Sequence, residues 1–226
     1  MFAAIVNMLA IIACSILGLL FKKALPEKAQ DTLMQGMGLM IIIIGAKMAV
    51  GAENDVIIVL ALAVGGLIGE ALKLDLHMEN LGVRVKKLCH VNDSNFVEAF
   101  VSASLIFCVG AMAIVGSIEA AYGNYDVIYV KSALDGIIAM VLASTMGIGV
   151  AFSGAAVFVY QGAITLLATL AGNVLTDTVI SYLSASGGVL IIGIGITIAG
   201  IKKINTVNLL PGVFLAAACG GILQLF

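Results

Sequence analysis

The sequence predicts an all-α integral membrane protein with about eight transmembrane helices. Of its 226 residues, 62% are hydrophobic and only 11% are charged, and the mean hydropathy is +1.19. A soluble domain usually carries about 25% charged residues. A helix needs about 20 mostly apolar residues to cross a bilayer, and the chain contains eight runs of about this length. These runs are residues 3–21, 32–51, 55–73, 95–118, 130–152, 154–172, 178–201 and 207–225.

Charge and cysteine usage exclude several classes of protein. The net charge is −2, and a nucleic-acid partner would need a longer basic segment than this chain has. The four cysteines have no CxxC spacing and no metal-ligand pattern joins them to His77 or His90, so neither a metal site nor a cofactor is expected. The N-terminal apolar run is predicted to be the first span and not a cleaved signal, because Lys22 and Lys23 follow it.

The loop charges predict an orientation in the bacterial cytoplasmic membrane. An excess of Lys and Arg marks cytoplasmic loops, and here it follows spans 1, 3 and 7. Both termini are therefore predicted to lie outside. The loop after span 3 also predicts an amphipathic interfacial helix over residues 74–90, because apolar residues recur there at spacings of three and four.

The two ends of the chain resemble each other weakly. With a shift of 150 residues, Gly38 aligns with Gly188 and Gly45 with Gly195; with a shift of 155, "LALAVGG" (60–66) aligns with "LAAACGG" (215–221). Repeat 1 (residues 3–73) and repeat 2 (154–225) are separated by spans 4 and 5 (95–152), so the copies would be inverted. Inverted repeats are a recurrent design of secondary transporters, whereas the alternative is generic helices with generic glycines.

Glycine and serine in spans 2 and 7 predict two discontinuous helices. The segments "LMQGMGLM" and "YLSASGGVL" superimpose in the repeat alignment, and both residue types weaken a helix. The N-termini of half-helices attract anions, whereas the alternative role of such small residues is close helix packing. The candidate substrate-binding residues, from these segments, from the similar segment of span 4 and from span 6, are Gln35, Gly36, Gly38, Ser102, Ser104, Gln161, Ser184, Ser186, Gly187 and Gly188.

Three charged residues are candidates for ion coupling. Asp135 is expected to face the helix bundle and bind a proton or cation, the alternative being a surface ion pair with Lys131. Lys47 either extends toward the interface or attracts an anion inside the bundle. Glu98 follows Asn95 at capping-box spacing, so capping competes with coupling there. Asn7, in span 1, is a further buried polar candidate.

The order of several phrases resembles one bacterial family. The segments "LPEKAQDTLMQGMGL", "FVEAFVSASLIFCVGAMAIVGS", "KSALDGI", "YQGAITLLA" and "SASGGVLIIGIGI" are similar to those of the integral membrane family labelled domain of unknown function 554, the YqgA/YdfK-like proteins. The resemblance covers nearly the whole chain. It implies a multi-spanning membrane protein with a transport role, and it supplies no catalytic residues.

Together these features predict a secondary transporter of a small organic anion, such as a short carboxylate, coupled to protons or a cation. The alternatives are an uncoupled pore and a structural or regulatory membrane subunit. An enzyme is not expected, because the sequence has neither an HExxH nor a GxSxG motif and no His in any predicted span. Membrane lipid, the solute and a second copy of the chain in a homodimer are the expected partners.

Overall fold

A computed structural model describes residues 2–22, 26–52, 54–108, 111–171 and 176–223. Within these ranges every regular element is a helix. The elements are α1 (Phe2–Lys22), α2 (Glu27–Ala49), α3 (Asp55–Ala71), α4 (Leu74–Leu88), α5 (Phe96–Cys108), α6 (Ala111–Ala121), α7 (Asp126–Met146), α8 (Gly149–Ala171), α9 (Asp177–Ile198), the short 3-10 helix Val207–Leu209 and α10 (Leu210–Leu223). The predicted all-α class is confirmed for this part of the chain.

Five of the described helices are long and apolar enough to cross a membrane: α1, α2, α7, α8 and α9. Two further pairs, α3 with α4 and α5 with α6, pass the same test jointly but are bent by 61° and 62°. The count is therefore five to seven, and the eight predicted spans are not confirmed. The predicted span 95–118 is divided between α5 and α6, and α10 is a shorter apolar helix.

The boundary between α7 and α8 corrects the predicted one. The sequence placed it at residues 152–154, whereas α7 ends at Met146 and α8 begins at Gly149. Gly147 adopts a φ of 99°, a conformation that glycine reaches without steric cost. The start of α7 also moves, from residue 130 to Asp126, so Asp135 is the tenth residue of the helix and about 14 Å along its axis.

The two predicted helix breaks do not occur. Helix α2 runs without interruption from Glu27 to Ala49, and α9 from Asp177 to Ile198. Glycine lowers helix propensity by only about 1 kcal/mol, which the packing of a membrane helix can offset. The prediction of two discontinuous helices was therefore wrong. Because α2 and α9 are continuous, they have no half-helix N-termini that could bind an anion.

The chain divides into two compact units. The first comprises Met1–Met37, Glu79–Cys108 and Met112–Gly172, and the second Gly38–Met78, Val109–Ala111 and Asn173–Phe226. In the first unit, α1 packs along α7 and α8, and α5 packs against both of the latter. Glycines allow these helices to approach closely: Gly18 lies against the backbone of Met140, and Gly136 against the Cys14 sulfur.

In the second unit, glycines of α2 and α9 make reciprocal contacts. A Cβ atom at Gly45 would lie 2.6 Å from the Gly188 carbonyl oxygen, and one at Gly188 would lie 2.6 Å from the Gly45 oxygen. At Gly195, a Cβ would lie 2.7 Å from the Gly38 oxygen. The sequence repeat aligns Gly38 with Gly188 and Gly45 with Gly195, so it maps the Gly45–Gly188 contact onto the Gly195–Gly38 contact. Two copies related by a twofold axis make contacts of this reciprocal kind.

The remaining helices of the second unit pack in a similar way. Helix α3 contacts α10 where Gly65 lies against Gly212. Ala61 and Ala216, which the 155-residue shift aligns, share one buried cluster with the ring of Tyr182. Small side chains thus form the centre of this unit, and van der Waals packing between close backbones stabilises it.

Candidate functional site

A buried ion pair lies on helix α7. The Lys131 Nζ atom donates a hydrogen bond to Asp135 Oδ2 at 2.6 Å, and the two side chains are 8% and 6% exposed. The spacing of four residues places both groups on one face of the helix. Ser132, on the same helix, is also buried, and its hydroxyl donates to the Ile128 carbonyl oxygen. Asp135 is thus buried in the protein and paired with Lys131.

Two amide side chains from other helices complete the cluster. Asn7 of α1 donates from Nδ2 to Asp135 Oδ2 at 3.0 Å and to Gln161 Oε1 of α8 at 3.2 Å. Both amides are fully buried. Lys131, Asp135, Asn7 and Gln161, called the polar cluster below, therefore join three helices of the first unit.

The carboxylate of Asp135 determines how the amides are oriented. An ionised carboxylate only accepts hydrogen bonds, so Asn7 must turn its Nδ2 toward Asp135, and Gln161 must then turn its Oε1 toward Asn7. Consequently, Asn7 Oδ1 and Gln161 Nε2 point elsewhere. Both atoms are buried, and neither has a hydrogen-bond partner among the described residues.

Further polar groups surround the polar cluster. One turn beyond Gln161, the Thr165 hydroxyl lies 2.9 Å from the Gln161 carbonyl oxygen and 3.1 Å from that of Ser117 on α6. The Cys108 thiol at the end of α5 is close enough to interact electrostatically with Lys131 and Asp135. Four helices of the first unit, α5 to α8, thus contribute polar groups near the ion pair.

The other predicted site residues of the first unit lie outside the polar cluster's hydrogen bonds. Gln35 and Gly36 are exposed on α2, and a Cβ at Gly36 would meet nothing within 4 Å. Ser104 is buried and donates to the Phe100 carbonyl oxygen of its own helix, and Ser102 is half-buried. Glu98 is exposed in the first turn of α5.

In the second unit, the predicted site residues mostly take part in helix packing. Gly38 and Gly188 belong to the reciprocal glycine contacts, and Gly187 is buried beside them. Ser186 donates to the Tyr182 carbonyl oxygen of its own helix. The half-buried Ser184 and the exposed Lys47 complete this set.

A second group of polar contacts lies at the junction of α3 and α4. The buried Asn208 donates from Nδ2 to Glu70 Oε2 at 2.7 Å and accepts from the Asp75 backbone N–H at 2.8 Å. Asn205 donates to Asp75 Oδ2 at 2.9 Å. These bonds attach the segment before α10 to the junction. Among the described residues, no group of three or more His, Cys, Asp or Glu side chains is placed to hold a metal ion.

Sequence reasoning underestimated Lys131. It placed Lys131 second in its span, where a long side chain can reach the interface, and so considered Lys131 only in the alternative of a surface ion pair. Helix α7 begins four residues earlier than predicted, so Lys131 is the sixth residue of the helix. The signal available in the sequence was Asp126 after "YGNY", an acidic residue suited to a first helical turn.

Comparisons with known proteins agree with the membrane assignment. A family model described as "Protein of unknown function (DUF554)" matches residues 2–220. The "Uncharacterized membrane protein YdfK" of Bacillus subtilis (strain 168) is 36% identical over 220 residues, covering 95% of this chain and 93% of that protein. The "Uncharacterized protein YqgA" of Escherichia coli (strain K12) is 29% identical over 217 residues, covering 93% and 92%. No solved structure matches the chain. The resemblance of the sequence phrases is thereby confirmed, and the chain belongs to the DUF554 family of membrane proteins.

Proposed function

We propose that the protein is a secondary transporter of a small organic anion, coupled to protons through the Lys131–Asp135 pair. The observation that carries the proposal is the pair itself: two charged side chains, each less than a tenth exposed, in a helix apolar enough to span a membrane. Placement of both termini outside, in the bacterial cytoplasmic membrane, and assembly as a homodimer remain predictions that accompany this proposal.

The free-energy cost of burying two charges in a membrane helix favours a functional role for the ion pair over a stabilising one. A charged side chain at the centre of a membrane helix costs roughly 2.5–3.5 kcal/mol on insertion scales. Replacing a buried ion pair with apolar residues of similar volume is often neutral or stabilising. A membrane helix therefore gains little stability from Lys131 and Asp135, whereas intramembrane ionisable residues commonly mark proton and ion paths.

An exchange of partners provides a coupling mechanism. While Asp135 is ionised, its carboxylate occupies the Lys131 ammonium group, as the 2.6 Å bond shows. A proton that binds the carboxylate neutralises it, and the Lys131 ammonium then attracts the carboxylate of a solute. Release of the solute and the proton on the other side restores the ion pair. One proton and one monovalent anion cross together, so the transport step is electroneutral.

The arrangement of the second unit supports a transporter with inverted repeats. The reciprocal contacts between Gly38, Gly45, Gly188 and Gly195 are those expected if α2 and α9 are equivalent elements of two inverted copies. Such copies commonly rock against one another around a site near the bilayer midplane. Gln35 and Ser102, both in the first unit, stay proposed solute contacts, without the half-helix N-termini that first suggested them.

The test is uptake into proteoliposomes with an imposed pH gradient, using labelled acetate, propionate and lactate as probes. Asp135→Asn keeps the shape of the side chain and removes its titration. We expect the variant to lose gradient-driven accumulation while retaining exchange of a carboxylate across the membrane. Ser153→Ala, which removes a buried hydroxyl bonded to the Val150 carbonyl oxygen of α8, is the matched control and should behave as wild type.

Two results would contradict the proposal. Full gradient-driven accumulation by the Asp135→Asn variant would show that the carboxylate is not the coupling group. Wild-type uptake that follows only the solute gradient, at the same rate with and without a pH difference, would favour an uncoupled pore.

A further inference from the structure

We infer that the solute carries a hydroxyl group beside its carboxylate, and that Asn7 and Gln161 bind this hydroxyl. The inference rests on the proposed function, because it assigns the solute of the same site. Asn7 Oδ1 and Gln161 Nε2 are the relevant atoms. Both are buried and have no partner among the described residues.

The two atoms require an occupant. Leaving a buried donor or acceptor without a partner costs on the order of 1–3 kcal/mol. The amides do not reduce this cost by turning over, because an Asp135 oxygen accepts from Asn7 Nδ2 and Asn7 in turn holds Gln161 Oε1. A carboxyl group protonated on its other oxygen still offers that acceptor, so the orientation is the same when the solute binds. The folded protein therefore presents one fixed acceptor and one fixed donor in the polar cluster.

A hydroxyl group matches the hydrogen-bonding capacity of these two amide atoms. A hydroxyl oxygen accepts a hydrogen bond from Gln161 Nε2 and donates its own proton to Asn7 Oδ1. A carboxylate has no proton to donate, and an ammonium has no lone pair with which to accept. The Asn7 Nδ2–Gln161 Oε1 bond of 3.2 Å places the two amide groups side by side, and one hydroxyl oxygen is assigned to both Asn7 Oδ1 and Gln161 Nε2.

The position of the amides relative to Lys131 defines the rest of the solute. Asp135 Oδ2 accepts bonds of 2.6 Å from Lys131 Nζ and 3.0 Å from Asn7 Nδ2, so the ammonium group and the first amide are adjacent. A carboxylate on Lys131 and a hydroxyl on the amides then belong to neighbouring carbons. The solute class is a short 2-hydroxy carboxylate.

Close packing beside the amides favours a small molecule. Gly154 of α8 faces α1 next to Asn7, and a Cβ there would lie 3.1 Å from the Met8 carbonyl oxygen and from Ile12. Backbones this close leave little space for a branched or aromatic group.

Lactate and propionate test the inference, since they differ only by the 2-hydroxyl. We expect wild-type protein in proteoliposomes to take up lactate about 5- to 150-fold faster than propionate at equal low concentration, the ratio that corresponds to the 1–3 kcal/mol of one missing hydrogen bond in a buried site. Gln161→Met removes the donor and keeps similar volume. It should bring the ratio of lactate uptake to propionate uptake, measured on the same variant, down to about one. Ser153→Ala should retain the wild-type preference.

The outcomes separate this inference from the proposed function. Equal, gradient-dependent uptake of both acids by the wild type would mean that an ordered water alone fills the amide pair; it would overturn the inference and leave the transporter proposal intact. Absence of uptake of any carboxylate by the wild type would overturn both. If Gln161→Met does not fold, as judged by gel filtration, the wild-type comparison of the two acids still decides.

Discussion

The two units of the molecule differ in the charged and polar groups that they bury. The first encloses a lysine, an aspartate and two amides, with two amide atoms left without partners among the described residues. The second encloses reciprocal glycine contacts, and the carboxylates at its α3–α4 junction accept hydrogen bonds from asparagines. In a membrane, close glycine contacts favour association of helices, whereas buried charges oppose it. The contrast indicates that the second unit is built for packing and the first for chemistry.

The largest expected effect is a loss of stability on breaking the ion pair, and it tests whether the pair stabilises the protein. Lys131→Met leaves Asp135 buried beside Asn7 without its cation, and loss of one partner of a buried pair costs about 3–5 kcal/mol. The double variant Lys131→Met with Asp135→Leu removes both charges and should recover most of the lost stability without recovering transport. Thermal unfolding in detergent measures the first effect, and proteoliposome uptake the second.

The matched control for this experiment is Lys47→Met. Lys47 is exposed on α2, so its removal should change stability by less than about 0.5 kcal/mol. A double variant as unstable as Lys131→Met alone would show that the polar cluster stabilises the first unit, and the contrast between the units would then disappear.

An intermediate effect tests the glycine contacts of the second unit. Gly188→Ala would place a Cβ 2.6 Å from the Gly45 carbonyl oxygen and 2.7 Å from the Ala49 nitrogen, both backbone atoms that cannot move aside easily. Overpacking of this kind costs about 1–3 kcal/mol, and the melting temperature should fall. Gly36→Ala is the control, because nothing lies within 4 Å of a Cβ there. It should be neutral or stabilise the helix by up to about 1 kcal/mol.

If the two alanine variants melt at the same temperature, the α2–α9 contact is looser than its geometry indicates. A decrease confined to Gly188→Ala would support the packing role of this glycine. The sequence had assigned Gly36 and Gly188 to the same role at a helix break, so the two alanine variants also separate that assignment from the packing role.

The sequence predicted features that depend on local composition. Long apolar runs define α1, α2, α7, α8 and α9, because each run must satisfy its own backbone hydrogen bonds in lipid. Helix boundaries were less predictable: "GIG" at residues 147–149 serves equally as a packing motif and as a turn, and only the fold shows that Gly147 has a positive φ.

The candidate site was predictable only in part, because its hydrogen bonds, like the helix boundaries, depend on the fold. Asp135 and Gln161 were identified because polar groups within apolar runs are costly. Their hydrogen bonds to Asn7 join residues more than 120 positions apart, which a single sequence does not show. Gly38, Gly188 and Ser186 were assigned to substrate binding because small residues at a helix break and at a helix contact look alike in sequence.

The smallest expected effect is a change in melting temperature that depends on pH, and it concerns Asp75 in the second unit. Asp75 is the second residue of α4, at the bend between α3 and α4 and outside the five helices that pass the span test by themselves. The Leu76 backbone N–H, with further hydrogen bonds from Asn205 and Asn208, holds the pKa of the Asp75 carboxyl below its usual value. A carboxyl whose pKa is lowered by folding adds stability above its unfolded pKa of about 3.9, and that stability is lost as the pH falls through the folded pKa.

Asp75→Asn should therefore lower the melting temperature slightly and by a constant amount between pH 5 and pH 8. The difference from wild type should shrink only below about pH 4, where the wild-type carboxyl becomes protonated. Glu79→Gln, an exposed change on the same helix, is the control. Transport by Asp75→Asn should keep the wild-type dependence on pH in the neutral range, since the coupling carboxylate is proposed to lie in the first unit. A variant that loses this dependence would place a proton-linked group in the second unit and contradict the division between packing and chemistry.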